Sequence, residues 1–271
     1  MNKRTLFLAL SVMILPINSY IMLGSDTDVD LTASTVNITT NVPQITVFSL
    51  DEDVASEEKQ ANLIDEFTQK FNYINKEAII QGLKGYAYLC EHHKVNNSQY
   101  LTIVDFSKAS TEERLFIIDV KKQKLVLKSL VAHGKNSGDN YATKFSNEPS
   151  SYQSSLGFYV TAETYNGSKG YSLRLDGLEA NFNSNARSRG VVVHGANYVS
   201  KAFAQANGRL GRSQGCPALP IETNQKIINI VKGGSCFFIY HPTNTYEKQS
   251  AILKKTNETT AMAVLDSLQR I

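Results

Sequence analysis

The sequence predicts a mainly β protein with helical pieces, an α+β chain, on three observations. Seven short apolar runs, LTIVDF, RLFIIDV, LVLKSLVAH, GFYVT, YSLRLDG, VVVHG and CFFIY, follow one another between residues 101 and 240. They are rich in β-branched and aromatic residues and are separated by polar or glycine-bearing turns, as strands are. Apolar residues at helical spacing are instead concentrated before residue 91. The length, 271 residues, suits one sizeable domain with extensions.

Taken in order, residues 1–23 open with Lys3 and Arg4, run through the apolar stretch Leu6 to Ile17 and end in a mixed segment. That is the order of a secretory signal peptide. The apolar run is interrupted by Pro16 and Asn18 and falls short of the roughly 20 residues of a spanning helix. No small-x-small cleavage site stands out, so an uncleaved N-terminal membrane anchor is the alternative, and either places the chain outside the cytoplasm, in the periplasm or cell envelope. Residues 24–50, rich in Thr, Asp and Asn, read as an extended linker. Within 51–90, Leu63, Ile64, Phe67 and Phe71 recur at helical spacing and a second helix runs from Lys76 to Cys90, giving a helical N-terminal subregion. Residues 91–241 hold the strands, with a hairpin turn at Lys121 to Lys124, turns at Asn166-Gly167, Lys169-Gly170 and Asp176-Gly177, and a helical segment from Tyr198 to Ala206. Residues 242–271 form a tail with a short helix expected over Ala261 to Leu268.

Composition excludes some functions. A formal charge of +3 with scattered lysines leaves no footprint for nucleic acid. There is no internal repeat, phosphate loop or HExxH motif, and the adjacent His92 and His93 lack a Cys or carboxylate cluster at ligand spacing, so no metal or other cofactor is implied. The three cysteines are an odd number for an exported chain. Cys90, in GYAYLC, and Cys236, in SCFFIY, read as buried small hydrophobes, and whether they pair is left open. Cys216 differs, lying among Gly, Arg, Ser and Gln.

Residues 191–220, VVVHGANYVSKAFAQANGRLGRSQGCPALP, concentrate the chemistry. Val191, Val192 and Val193 favour a strand that delivers His194 and Gly195 to its end. Gly208, Gly211 and Gly215 let the following turn fold tightly around Ser213 and Cys216. A thiol of ordinary pKa about 8.5 needs a nearby imidazole or cation to become a useful nucleophile at neutral pH. His194 is one candidate base, and Arg209 and Arg212 add charge. The N–H groups of Gly215 and Cys216 can serve a developing oxyanion, whereas Pro217 has none to give. A second His-Gly, at His133, precedes a polar loop and is a candidate to line the same groove. Arg187 or Arg189, in the polar loop before the His194 strand, could meet a substrate carboxylate, although a solvated surface accounts for them as well.

Both VVVHGANYVS and GRLGRSQGCPALP, with the blocks LTIVDFSKASTEERLFIIDV, SLVAHGKNSG, KFSNEPSSYQSSLGFYVT and GYSLRLDGLE in order, resemble the L,D-transpeptidase catalytic domain over roughly residues 80–241. The resemblance implies a β-sandwich-like sheet pair with the cysteine loop beside it. It implies a Cys216 thiolate that attacks an L-to-D bond in a peptidoglycan stem peptide, His194 as base, and Ser213 orienting the imidazole or binding substrate. Gly195, Tyr198, Arg212 and His133 are the expected substrate-side residues, and Tyr141 to Gly157 is expected to border the groove. An amine acceptor makes a transpeptidase and water an L,D-carboxypeptidase; a non-catalytic wall-binding module and a cysteine peptidase acting on protein are the other readings. Two positions depart from the family pattern: Ala218 stands where an arginine is common, and Gln214 where a histidine often is. Arg212 or Arg209 is expected to supply the missing charge.

Overall fold

The computed structural model describes residues 65–257 and residues 259, 261, 263 and 266; the expected signal peptide or anchor, the linker, Leu63 and Ile64 and most of the 261–268 helix lie outside them. Residues 65–70 are helical and lead through a turn into α1 (Lys76–Glu91), whose first turn is capped by Asn75 Oδ1 accepting from Glu77 and Ala78 N–H. Phe67 and Phe71 are buried as their spacing predicts. A Cβ on Gly85 would stand 2.0 Å from the Phe158 ring, so this glycine is what lets α1 lie directly on the sheet.

Eight strands follow. β1 (Tyr100–Asp105), β2 (Leu115–Asp119) and β3 (Lys124–Ser129) form an antiparallel meander, with the β2–β3 turn where Lys121 to Lys124 predict it. β4 (Gly157–Gly167) and β5 (Gly170–Gly177) form a hairpin whose tip is the Asn166 to Gly170 turn. β6 (Val192–Gly195) pairs antiparallel with β5, and the two-residue β7 (Ala218–Leu219) pairs parallel with β6. β8 (Cys236–Tyr240), wholly buried, joins the halves by pairing parallel with β1 and antiparallel with β4. The strands therefore make one continuous sheet in the order β3-β2-β1-β8-β4-β5-β6-β7, where a sheet pair was expected. Beyond β3 the chain bends across so that Ala132 bridges Ala218 and Gly134 bridges Ser213, which brings the two ends of the sheet together as a nearly closed barrel.

Helices cover what the sheet leaves open. α2 (Lys201–Asn207) starts on Ser200, whose hydroxyl accepts from Phe203 N–H, and stops at Gly208 in the left-handed region. α3 (Ile221–Val231) buries Ile227, Ile228 and Val231, and its Asn224 amide donates to the Tyr171 carbonyl beside β6. Two short helices, α4 (Asn244–Gln249) and α5 (Ala251–Lys254), were not predicted; buried Glu179 holds them by accepting from Tyr246 and Ser250 hydroxyls while also taking Phe158 N–H of β4. Among the described residues no helix is long and apolar enough to cross a membrane. Cys90, Cys216 and Cys236 are free thiols.

Candidate active site

Ser213 builds the cysteine turn. Its hydroxyl donates to the Cys216 carbonyl (2.6 Å) and accepts from Gly215 N–H (3.0 Å). Gly215 sits at φ +121, and a Cβ there would meet the Gln153 carbonyl at 2.8 Å, so only glycine fits the turn. The Ser213 main chain is in turn fixed to the strand that continues β3, with Ser213 N–H donating to His133 O (3.0 Å) and Lys135 N–H to Ser213 O (2.8 Å).

Parallel pairing of β6 and β7 sets His194 opposite Ala218, which brings Cys216 level with the first residue of β6. The thiol sulfur accepts from Val192 N–H (3.5 Å) and donates to the Gly190 carbonyl (3.6 Å). Val193 points into the main core, so Val192 and His194 share the opposite face of the strand. His194 Nδ1 donates to its neighbour's carbonyl, Gly195 O (2.9 Å), which leaves the lone pair on Nε2. Burial lowers the His194 pKa, Lys169 adding to the effect against the Gly195 bond. Burial pushes the Cys216 thiol up, opposed by Val192 N–H and by Arg189. The resting state at neutral pH is thus a protonated thiol near a neutral imidazole, not hydrogen-bonded to each other. Tyr198 packs under Gly211, and burial, followed by the proximity of Cys216, pushes its phenol up to about 12. Gly195 packs against Asn224 of α3, which fixes where β6 ends.

Two expected roles change here. The Ser213 hydroxyl is engaged on both sides within the turn, so it shapes the cysteine loop and does not reach the imidazole. Gly215 N–H is held by that same hydroxyl, whereas Cys216 N–H has no partner among the described residues. Residues 70–240 match the family model of the L,D-transpeptidase catalytic domain. The chain belongs to that family. Among solved structures it is similar to an L,D-transpeptidase from Mycobacterium smegmatis (12% identity, TM-score 0.34, covering 53% of this chain and 59% of that one). It is also similar to an L,D-transpeptidase from Xylanimonas cellulosilytica (14%, 0.30, 52% and 60%) and to the helical cell shape determining protein Pgp2 from Campylobacter jejuni (13%, 0.35, 68% and 62%). The match to the Mycobacterium smegmatis protein spans 59% of that chain's length. No curated protein sequence matches.

The remaining residues expected around this L,D-transpeptidase-family site fall into two groups. His133 is buried beneath it: Nδ1 accepts from Arg114 Nη2 (2.8 Å), Nε2 makes no well-formed hydrogen bond among the described residues, and burial with the adjacent Arg114 charge lowers the pKa to about 4 against the pull of the Gly138 and Asp139 backbone. It supports the sheet seam and does not line a groove. Arg212 and Arg209 both turn to Asp139 (3.2 and 2.7 Å), and Arg212 also donates to Gly138 O (2.9 Å), so neither supplies the charge missing at Ala218. The loop 146–155 does border the cysteine turn, through Ser154 Oγ donating to Gly215 O (3.3 Å). Sequence reasoning weighed Arg187 and Arg189 alike. Arg187 pairs with Glu163 and Asp176 at the surface, while Arg189 grips the 146–155 loop beside Gly215. Arg187 and Arg189 stand two positions apart in the same turn-rich loop, and no spacing rule separates them.

Proposed function

We propose that the chain is a peptidoglycan-remodelling cysteine acyltransferase of the L,D-transpeptidase type, working outside the cytoplasm on stem peptides. The observation that carries this reading is the placement of Cys216 Sγ on Val192 N–H, at the start of the strand whose third residue is His194. His194 Nε2, with Nδ1 anchored, takes the thiol proton as sulfur attacks the carbonyl of the L-to-D bond. Cys216 N–H, without a partner among the described residues, meets the developing oxyanion; losing one such donor typically costs about 3 kcal/mol of transition-state stabilisation. Collapse of the intermediate expels the terminal D-amino acid with the proton from His194 and leaves a thioester. An amine of a second stem then completes a cross-link. With water as acceptor the same thioester gives an L,D-carboxypeptidase.

Intact-mass spectrometry of wild type beside Cys216→Ala, after incubation with a carbapenem or with a tetrapeptide-stem muropeptide, tests the reading. The expected result is a mass increment that depends on Cys216, with loss of the stem's terminal residue. Absence of any adduct and of turnover would leave a wall-binding module as the better account.

A further inference from the structure

Arg189 lies in the loop that leads into β6, half-buried against the cysteine turn. One terminal nitrogen donates to Ser146 O (2.8 Å) and Ser155 Oγ, the other to Ser151 Oγ (3.1 Å) and Gln153 O (2.7 Å). All four acceptors are neutral. Among the described residues no carboxylate pairs with Arg189, whereas Arg174, Arg187, Arg209 and Arg212 each have one. Its Nη2 stands 3.4 Å from the point where a Cβ on Gly215 would be, one residue from the thiol. Hydrogen bonds to neutral acceptors satisfy its donors without cancelling its charge, which stays available to an anion beside it. The loop it grips is itself strained, with Ser150 and Tyr152 at positive φ (57° and 54°), and such conformations persist only when their surroundings hold them.

We infer that Arg189 is the positive partner of the Cys216 thiolate, and that its fork also holds the 146–155 loop against the cysteine turn. This rests on Cys216 being the nucleophile. In the acylation step the thiol proton goes to His194, the sulfur pair forms the C–S bond, and Arg189 keeps its protons throughout, lowering the energy of the negative charge that develops on sulfur as the proton leaves. The other titratable and charged groups bearing on the thiol are His194 on β6, with Lys169 acting through it, and Tyr198; Glu148 acts on Arg189.

The test separates charge from grip. Arg189→Lys loses the fork and keeps the charge; Arg189→Gln loses both; Ser151→Asp leaves the arginine in place and neutralises it. For each, the pH dependence of iodoacetamide alkylation at Cys216 is followed by peptide mapping, with Cys90 and Cys236 scored separately, alongside thermal melting. Arg189→Gln and Ser151→Asp are expected to raise the thiol's titration midpoint by about one unit and to slow alkylation at neutral pH by about tenfold. Arg189→Lys is expected to keep the midpoint and melt lower. If the wild-type protein forms no carbapenem adduct at Cys216, the nucleophile reading itself falls. If the adduct forms but the midpoint ignores both Arg189→Gln and Ser151→Asp, only the role of Arg189 is overturned; Ser151→Asp decides the matter should Arg189→Gln not fold.

Discussion

At the scale of single residues, the cysteine site depends on two pKa shifts of opposite sign with one cause. Burial disfavours charge, so it raises the thiol and lowers the imidazole, and in the proposed reaction the proton moves during attack, not before it. A base must be unprotonated to act, so the acylation rate is expected to fall on the acid side as His194 takes up a proton. Because the His194 pKa is lowered, that fall should have its inflection below the ordinary histidine value of about 6.5. Lys169 contributes to the lowering from the β4–β5 hairpin tip, so Lys169→Met should move the inflection upward. Time courses of carbapenem acylation by mass spectrometry between acid and neutral pH check both; an inflection above the ordinary value, unmoved by Lys169→Met, would remove His194 as the base. The residues of the candidate site were unevenly legible. Cys216 stood out because its neighbours offered no apolar explanation for it, and His194 because an apolar strand delivers it to its end, whereas Ser213 was given a role at the imidazole when its hydroxyl closes the turn, a distinction of a few ångströms that spacing does not carry.

At the scale of elements, strands were readable and their partners were not. The apolar runs gave nearly every strand, because each pleated segment must bury at least one face. Pairing is another matter: β8 inserts between β1 and β4, from which it is separated by most of the domain, and no local pattern announces that. α4 and α5 escaped notice for a related reason, since four- and six-residue helices have no stability of their own and form where something binds them. Here that is Glu179, a carboxyl whose pKa is raised by burial against the pull of the Ser250, Phe158 and Tyr246 bonds. Glu179→Ala would leave three buried donors without acceptors and is expected to destabilise the protein by about 2–4 kcal/mol. Glu179→Gln keeps an acceptor for Phe158 N–H and Tyr246 and should cost markedly less. Urea unfolding of the two variants beside wild type makes the comparison; equal losses would mean that the helices are held by apolar packing alone.

At the scale of the whole molecule, the candidate active site lies on the seam where the sheet nearly closes. Ala132 and Gly134, beyond the first edge strand, meet Ala218 and Ser213 at the last, so the cysteine turn is part of the closure and its geometry is tied to the barrel's integrity. Arg114 and His133 sit directly behind that seam. Arg114, fully buried, donates to Val131 O twice (3.1 and 2.9 Å), to Lys108 O (2.9 Å) and to His133 Nδ1, and its guanidinium lies over the Phe106 ring. Burial lowers its pKa to about 9, which leaves it charged at neutral pH, and a charged donor requires His133 to remain neutral. With a folded pKa of about 4 against an ordinary value near 6.5, His133 binds its proton more readily in the unfolded chain. Its contribution to stability is therefore complete above about pH 6.5 and is lost as pH falls towards 4, by up to ~3 kcal/mol. His133→Asn keeps an acceptor for Arg114 but has no proton to take up, so the slope of unfolding free energy against pH in that window should flatten. Since the seam carries the cysteine turn, the wild-type protein should lose carbapenem acylation and Arg114-side protection from hydrogen exchange over the same range in which it loses stability. A His133→Asn protein as acid-sensitive as wild type would place the titrating group elsewhere, with half-buried His241 next in line because its pKa is lowered by burial too.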